Sequence, residues 1–234
     1  MNNYNFKNAD EIKEFLNNIH IEYSYSCYSE HKPDGCHLLG DYFESVKRDF
    51  KKAASIYQNN CDNLDFPKSC NKFGLWSIVG KGCEKNLQQA MKYLKKSCTL
   101  NEIQGCVALG ILTVSFPQIH NNNKDIVIED GIKVLEKCCQ EHNSEKACFQ
   151  LSSTYISGIE DILERNMQKA YKYSLKACEL GNYYACGNIS QMHEKGEGVE
   201  KSPTLAETFR KKAADIEKEI KEVRSMEFGH GIKV

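Results

Sequence analysis

Cysteine pairs separated by eight or nine positions recur along the chain and constrain its fold more than any other feature. The most regular copy is the segment Lys176 to Cys186, KACELGNYYAC, in which a glycine turn lies between the two cysteines. Four similar pairs precede it, and the second cysteine of each pair falls at position 36, 70, 106, 148 or 186. A period of about 36 residues with two helices per unit is typical of an α-solenoid, because stacked units bury a core that one unit cannot bury alone.

Local patterns place helices on both sides of each cysteine pair. Apolar residues at spacings of three and four predict a helix over residues 10–26. Pro33, Asp34 and Gly35 predict a turn before a helix that opens at Cys36, and Pro67 lies in the corresponding turn of the next unit. The Gly-Lys-Gly and Gly-Glu-Gly segments at 80–82 and 196–198 predict helix ends. Further helices are predicted over 50–60, 87–96 and 167–177, and after Ser202-Pro203.

The period divides the chain into repeats with flanking segments. We expect an N-terminal helix at 1–33, five repeats and a C-terminal helix end with a loose tail at 220–234. The Asn-rich segment at 116–125 predicts a surface loop inserted into the third repeat. The five repeats span 34–66, 67–103, 104–144, 145–182 and 183–219.

The spacing within each pair predicts disulfides between neighbouring helices. Two helices joined by a short turn run antiparallel, so a cysteine in the last turn of one faces a cysteine in the first turn of the next. Each bridge would contribute about 2.5 kcal/mol by restricting the unfolded chain. The alternative is that these cysteines are reduced and buried as small apolar residues, but five recurrences of one spacing favour disulfides. The predicted pairs are Cys27–Cys36, Cys61–Cys70, Cys98–Cys106, Cys139–Cys148 and Cys178–Cys186.

Two of the twelve cysteines fall outside this pattern and are the candidate free thiols. Cys83 lies in the glycine-rich turn GKGCEKN, where we expect it to be exposed, and Cys138 is adjacent to the paired Cys139. We interpret both as unpaired and inert. The alternative is that one of them exchanges thiol for disulfide with a client protein.

The cysteine content also bears on the compartment and the partners. Disulfides indicate an oxidising compartment, yet the N-terminus has neither the apolar core nor the basic start of a secretory signal. We therefore expect the mitochondrial intermembrane space, with import by its disulfide relay; a secreted chain whose signal was removed is the alternative, against which Met1 argues. The net charge of −1 argues against nucleic acid as a partner, and no apolar run suits membrane insertion.

The repeats resemble Sel1-like repeats. The shared pattern is A-x-x-Y-x-x-K-A-C-x-L-G-x-x-x-A-C, which fits best at Ala170 to Cys186, together with the two Gly-x-Gly turns. A disulfide in each repeat is typical of the cysteine-rich Sel1-like proteins. Two groups share it: bacterial secreted proteins to which β-lactamase activity is ascribed, and the metazoan cytochrome c oxidase assembly factor seven family.

The chain is most similar to the second group, over residues 10–215, and Cys27 to Ala54 is the most specific segment. It departs from the pattern at the Asn-rich insertion, and at Ser152 and Ser190, which stand where glycine is usual. The resemblance implies an intermembrane-space factor that assembles respiratory complex IV, with complex I as a further target and assembly intermediates as partners. It also brings haem as a candidate cofactor, and disulfide reduction of copper-delivery proteins as a candidate activity.

Residue patterns for other chemistry are weak. Ser-x-x-Lys, the nucleophile motif of β-lactamases, occurs at Ser29–Lys32 and Ser69–Lys72, about as often as chance predicts. His37 and His193 could face the inner surface of the array as axial haem ligands, but ordinary surface histidines are the favoured interpretation. The helical spacing of Tyr42, Trp76, Tyr155 and Tyr173 predicts core packing.

We therefore expect an all-α, α/α solenoid of Sel1-like, TPR-like repeats with inter-helix disulfides, acting as a non-enzymatic scaffold in cytochrome oxidase assembly. We assign no catalytic or metal-binding residue. The alternatives are a thiol–disulfide reductase or haem-binding factor that acts on copper-delivery partners, and a β-lactamase-like hydrolase.

Overall fold

The computed structural model describes residues 5–117 and 124–229, and these ranges are α-helical. The only β-type pairing within them is a single bridge between Ile159 and Leu163, in the loop after the eighth helix. The predicted all-α class is confirmed. The helices are α1 (Ala9–Tyr28), α2 (Pro33–Ser45), α3 (Phe50–Leu64), α4 (Pro67–Val79), α5 (Leu87–Thr99), α6 (Ile103–Ser115), α7 (Lys124–Gln140), α8 (Glu145–Ser157), α9 (Met167–Glu179), α10 (Tyr183–Lys195) and α11 (Pro203–Gly229).

The helices form hairpins, in each of which an odd-numbered leading helix is followed by an even-numbered trailing helix. The chain divides into two compact units, Met1–Ala108 and Leu109–Val234. In the first unit α1, α2, α3, α4 and α5 pack each on the next. In the second unit α7 to α11 do the same. The leading helices α3 and α9 therefore each pack against a trailing helix before them and another after them.

Short polar residues begin most of the later helices. The side chain of Asp49 accepts a hydrogen bond from the backbone N–H of Lys52, and Asn86 caps α5 in the same way. Asn166 and Asn182 repeat this arrangement at α9 and α10. Such caps satisfy backbone donors that the first helical turn leaves unpaired, and each contributes about 1 kcal/mol.

The structure corrects the predicted turns that contain Pro33 and Pro67. Both prolines are the first residues of helices, α2 and α4, rather than turn residues. Proline is well suited to this position because its missing N–H has no helical partner there. The chain reverses just before them instead, with His31 at φ 52° and Asp65 at φ 49°.

The predicted helix ends at the two Gly-x-Gly turns are confirmed. Gly80 and Gly196 adopt left-handed backbone conformations, at φ 79° and 76°, that end α4 and α10. The second glycine of each turn lies against the start of the preceding leading helix. A Cβ atom at Gly198 would lie 2.5 Å from the backbone of Met167, and one at Gly82 would collide with the carbonyl of Phe50. Both glycines of each turn are therefore needed: the first for its left-handed backbone, and the second for its small size as well as its own positive φ, 69° at Gly82 and 75° at Gly198.

Large and small residues alternate across the contacts between trailing and leading helices. A Cβ atom at Gly74 would lie 2.8 Å from Leu94, and one at Gly110 would lie 2.6 Å from Leu135. A Cβ atom at Gly40 would lie 2.4 Å from the ring of Tyr57. The predicted burial of four aromatic side chains is confirmed for Tyr42, Trp76, Tyr155 and Tyr173.

Two predicted segments extend beyond the described residues. Positions 118–123 of the Asn-rich insertion lie outside them, and α7 begins directly afterwards at Lys124. The predicted tail is helical as far as Gly229, where α11 ends, and positions 230–234 lie outside the described residues. Across the described chain, no helix combines the length and the low polarity that crossing a bilayer requires.

Candidate functional site

A disulfide clamps every helical hairpin at its turn. Each joins the last turn of a leading helix to the first turn of the trailing helix, with Cα atoms 4.4 to 4.9 Å apart. Four clamps are buried, whereas Cys98 and Cys106 are partly exposed. The structure joins Cys27 to Cys36, Cys61 to Cys70, Cys98 to Cys106, Cys139 to Cys148 and Cys178 to Cys186.

Small residues immediately before the two cysteines allow the helices to approach closely at each clamp. A Cβ atom at Gly35 would collide with Ser26, and one at Gly105 would collide with Ser97. In the second hairpin, Asn60 instead donates a 2.8 Å hydrogen bond to the hydroxyl of Ser69. The position before each clamp cysteine is therefore a packing position, shaped by the hairpin rather than by chemistry.

Cys138 occupies this packing position beside the fourth clamp. It precedes Cys139 as Ser26 precedes Cys27, and it is only 3% exposed. Burial raises the pKa of its thiol, which disfavours the thiolate that disulfide exchange requires. The sulfur is unpaired and fills space in the core of the second unit.

Cys83 is partly buried, which corrects the expectation that its turn exposes it. The side chain packs against the apolar core of the first unit, and its sulfur lies 3.9 Å from the hydroxyl of Ser77. Of the two unpaired cysteines, Cys83 is the more accessible. The structure places it in a different compact unit from Cys138.

The two candidate haem ligands do not fit that role. His193 is only 4% exposed, which corrects the interpretation of it as a surface histidine. Its Nδ1 lies 3.0 Å from the carbonyl oxygen of Glu200, and its Nε2 lies 3.2 Å from the hydroxyl of Tyr171. In His37, Nδ1 lies 2.9 Å from the hydroxyl of Ser69 and Nε2 lies 3.8 Å from Asp41. An axial ligand needs a ring nitrogen directed at an open apolar slot, and neither histidine presents one.

The Ser-x-x-Lys motifs do not form a hydrolase centre either. Ser69 is fully buried and its hydroxyl contacts Asn60 and His37. Lys72 is directed elsewhere, with its ammonium group 2.7 Å from Glu44. Ser29 ends α1 at an exposed position, and Lys32 pairs with Glu30. Neither pair has the buried base next to an accessible nucleophile that acyl transfer requires.

A polar cluster on α2, α3 and α4 was not anticipated from the sequence. Tyr57 donates a 2.5 Å hydrogen bond to Asp41, while Lys72 and Lys81 hold Glu44 at 2.7 and 2.6 Å. Burial alone would raise the pKa of Glu44, but hydrogen bonds from the two lysines lower it below its ordinary value. The cluster pairs its own charges, so it joins helices rather than offering a reactive group.

Related tyrosine–carboxylate bonds recur further along the chain. Tyr93 donates a 2.8 Å hydrogen bond to Asp62, and Tyr173 donates one of 2.8 Å to Glu136. In both, the tyrosine on a leading helix reaches the leading helix of the previous hairpin. Burial raises the pKa of both phenols, and the carboxylates add to this effect. A tyrosine four or five positions before the clamp cysteine is the sequence signal for these bonds.

Open grooves are the other prominent features of both units. In the first unit a groove of about 450 Å³ lies between the end of α1 and α3, with Tyr28, His31, Asn59 and Asn63 in its walls. In the second unit a groove of about 510 Å³ lies between α8 and α10, beside Phe149 and Tyr184. Amide and aromatic side chains are typical of surfaces that bind polypeptides.

Repeated helical hairpins with a clamp at each turn define the class of this protein. The Sel1 repeat model matches residues 33–59, 67–102, 145–182 and 183–216, so the chain is a Sel1 repeat protein. The crystal structure of a Sel1 repeat protein from Oxalobacter formigenes has the same fold, with a TM-score of 0.69, 20% identity and coverage of 89% of this chain and 85% of that one. The predicted α/α solenoid class is thereby confirmed.

Two curated relatives identify the group within that class. The cytochrome c oxidase assembly factor 7 homolog of Drosophila melanogaster is 36% identical over 251 residues, covering 93% of each chain. Cytochrome c oxidase assembly factor 7 of Homo sapiens is 33% identical over 235 residues, covering 96% of this chain and 97% of the relative. The chain belongs to the cytochrome c oxidase assembly factor 7 family.

Proposed function

We propose that this protein takes part in the assembly of cytochrome c oxidase, complex IV of the respiratory chain. The observation that carries the proposal is its similarity, over nearly its whole length, to relatives that bear the name of cytochrome c oxidase assembly factors. Because more than nine-tenths of both chains is covered, the similarity extends over the whole relative and not over one shared module.

The proposed mechanism is that of a scaffold that holds a client polypeptide. Buried clamps fix each hairpin turn, and polar bonds such as Tyr93–Asp62 join successive hairpins. Rigid hairpins present their exposed side chains in a set arrangement, which reduces the entropy lost when a partner binds. The grooves beside Tyr28 and Tyr184 are surfaces on which such a partner can rest.

We propose the mitochondrial intermembrane space as the compartment, with entry by its disulfide relay. Five disulfides, four of them buried, support an oxidising environment during folding. Formation of the disulfides folds the chain, and the folded chain would then stay in the compartment in which its disulfides formed. Assembly of complex I is part of the same proposal, as a second target.

Depletion in cells of the protein's own species tests the proposal. We expect less assembled complex IV on native gels and lower oxidase activity, both restored by the wild-type chain. Protease treatment of intact and swollen mitochondria should degrade the protein only after the outer membrane is opened. Normal complex IV after complete depletion would contradict the proposed function. A loss of complex IV with unchanged complex I would contradict the second target alone.

Thiol–disulfide reduction of copper-delivery proteins is the second candidate, and the partial exposure of Cys83 is the observation that favours it. Attack by one thiolate forms a mixed disulfide, and a second thiol must then release the reduced client. Cys138 is buried, so an external thiol such as glutathione would have to complete the reaction. If Cys83→Ser restores complex IV as well as the wild type does, this candidate is wrong.

A further inference from the structure

The first helix carries an apolar stripe on a face that no other part of the described chain covers. Ile21, Tyr25 and Tyr28 are 58%, 60% and 58% exposed. Their spacing of four and three residues places them on one side of α1. The opposite side of the helix packs inward, where Tyr23 contacts the core and Cys27 is buried. We call these three side chains the α1 stripe.

The equivalent positions of the other leading helices are polar. They lie six and two residues before the clamp cysteine and one residue after it. An apolar stripe is therefore a property of α1 and not of the repeat. The equivalent residues are Ser55, Asn59 and Asp62 in α3; Lys92, Lys96 and Thr99 in α5; Lys133, Lys137 and Gln140 in α7; and Lys172, Lys176 and Glu179 in α9.

In α5 and α9, the residue equivalent to Tyr25 contacts the preceding leading helix. The ammonium group of Lys96 donates a 2.6 Å hydrogen bond to the carbonyl of Cys61, near the end of α3. Lys176 does the same at 3.2 Å to the carbonyl of Gln140, the last residue of α7. In α5 and α9, this face is thus where the preceding leading helix lies. In α1, the first described helix, the same face is open and apolar.

Acidic residues extend the stripe toward the beginning of α1. Glu14 lies seven residues before Ile21 and Asp10 lies four residues before Glu14, so both continue along the same side of the helix. Both side chains are exposed, and neither carboxylate pairs with a cation among the described residues. Asp10, in the first turn, also stabilises the start of the helix through its dipole. The face therefore presents two apolar turns and, toward the start of the helix, two acidic residues about one turn apart.

We propose that the α1 stripe, with Glu14 and Asp10, is a docking surface for a basic amphipathic helix of a partner protein. Its apolar side chains would cover Ile21, Tyr25 and Tyr28, and its lysines or arginines would pair with the two carboxylates. The same face of a second copy, packed against it symmetrically, would bring Asp10 and Glu14 instead of cations. An anionic bilayer would be repelled by the same carboxylates. Tyr28 also borders the groove between α1 and α3, and the binding test below does not depend on the proposed role in oxidase assembly.

The test is binding of a labelled amphipathic peptide to the purified, oxidised chain. The probe has about 20 residues, with leucines on one helical face and lysines toward one end of it, and binding is followed by fluorescence anisotropy. We expect Ile21→Ser/Tyr25→Asn/Tyr28→Asp, which places the residues of α3 on α1, to weaken binding about tenfold or more. We expect Asp10→Asn/Glu14→Gln to weaken it less and to reduce its salt dependence.

Three comparisons make the result specific. A chain with Leu38→Ser/Val79→Ser/Leu205→Ser, which removes three exposed apolar residues elsewhere, should bind as the wild type does. A peptide of the same composition without an apolar face should bind at least about tenfold more weakly. Circular dichroism should show equal helix content in every variant.

Equal binding by the wild type and the stripe variant would overturn the proposal. So would sedimentation showing a wild-type dimer that the stripe variant abolishes, because the occupant would then be a second copy. Binding to vesicles of anionic lipid that depends on the stripe would also overturn it.

Discussion

The hydroxyl groups of Ser152 and Ser174 lie 2.5 Å apart in the interior of the second unit. Ser152 takes the position that is glycine in the earlier trailing helices. Ser174 takes the position of the leucine that packs on that glycine, as Leu94 packs on Gly74 and Leu135 packs on Gly110. Two small polar residues thus replace a small and a large apolar one. Their hydrogen bond gives each hydroxyl group a partner in a fully buried site.

Exchange of these residues should reveal their dependence on each other. We expect Ser174→Leu alone to lower the free energy of unfolding by about 1–3 kcal/mol, because the larger side chain collides with Ser152. Adding Ser152→Gly should restore most of that loss by recreating the pair found at Gly110 and Leu135. Urea unfolding of the single and double variants measures the coupling. Additive losses would show that the two positions are independent.

Thiol accessibility should distinguish Cys83 from Cys138. Under native, non-reducing conditions we expect a chromogenic disulfide reagent to modify one thiol per chain, and two in denaturant, because Cys138 is buried with a raised pKa. Cys83→Ser should abolish the native reaction and Cys138→Ser should leave it unchanged. Reaction of more than two thiols in denaturant would mean that one of the clamps is not formed.

Removal of a buried clamp should cost more than removal of a partly exposed one. Cys98→Ala/Cys106→Ala should lower the free energy of unfolding by about 2.5 kcal/mol, because the unfolded chain gains freedom. Cys139→Ala/Cys148→Ala, at two fully buried positions, should cost about 1 kcal/mol more through lost packing. Chemical denaturation in oxidising buffer, followed by circular dichroism, makes the comparison. A larger loss at the exposed clamp would contradict this account.

His37 should make stability fall as the medium becomes acidic. Burial, aided by Lys72 and Lys68 and opposed by Asp41 and Asp34, lowers the pKa of His37 below 6.5. As the pH falls through 6.5 the unfolded chain takes up the proton first, so stability is lost until the folded pKa is passed. The free energy of unfolding of His37→Gln should therefore decrease less than that of the wild type from about pH 7 to pH 5. Equal slopes for the two proteins would contradict the prediction.

Patterns that depend on neighbouring residues were predictable from the sequence. The recurrence of cysteine pairs indicated hairpins, and the Gly-x-Gly turns indicated helix ends at Gly80 and Gly196. The prediction of turns at Pro33 and Pro67 was wrong, because proline is equally suited to a turn and to the first position of a helix. A local pattern cannot distinguish the two, because the choice depends on where the preceding helix stops.

Side-chain environments could not be predicted in the same way. Whether Cys83 or His193 is exposed depends on residues that reach it from other helices, such as Ser77 and Tyr171. The polar cluster around Glu44 joins residues up to 37 positions apart. The exposure of the α1 stripe also depends on tertiary contacts, because the equivalent faces of α5 and α9 are in contact with the preceding leading helices.

By itself, the sequence determined the all-α repeat architecture, because hydrophobic period, caps and cysteine spacing all act over distances of a few residues. Only the tertiary structure decided which side chains are buried, which are paired and which remain open to a partner. Those properties arise from contacts between hairpins, and a residue such as Cys138 acquires its role from the packing position that it fills.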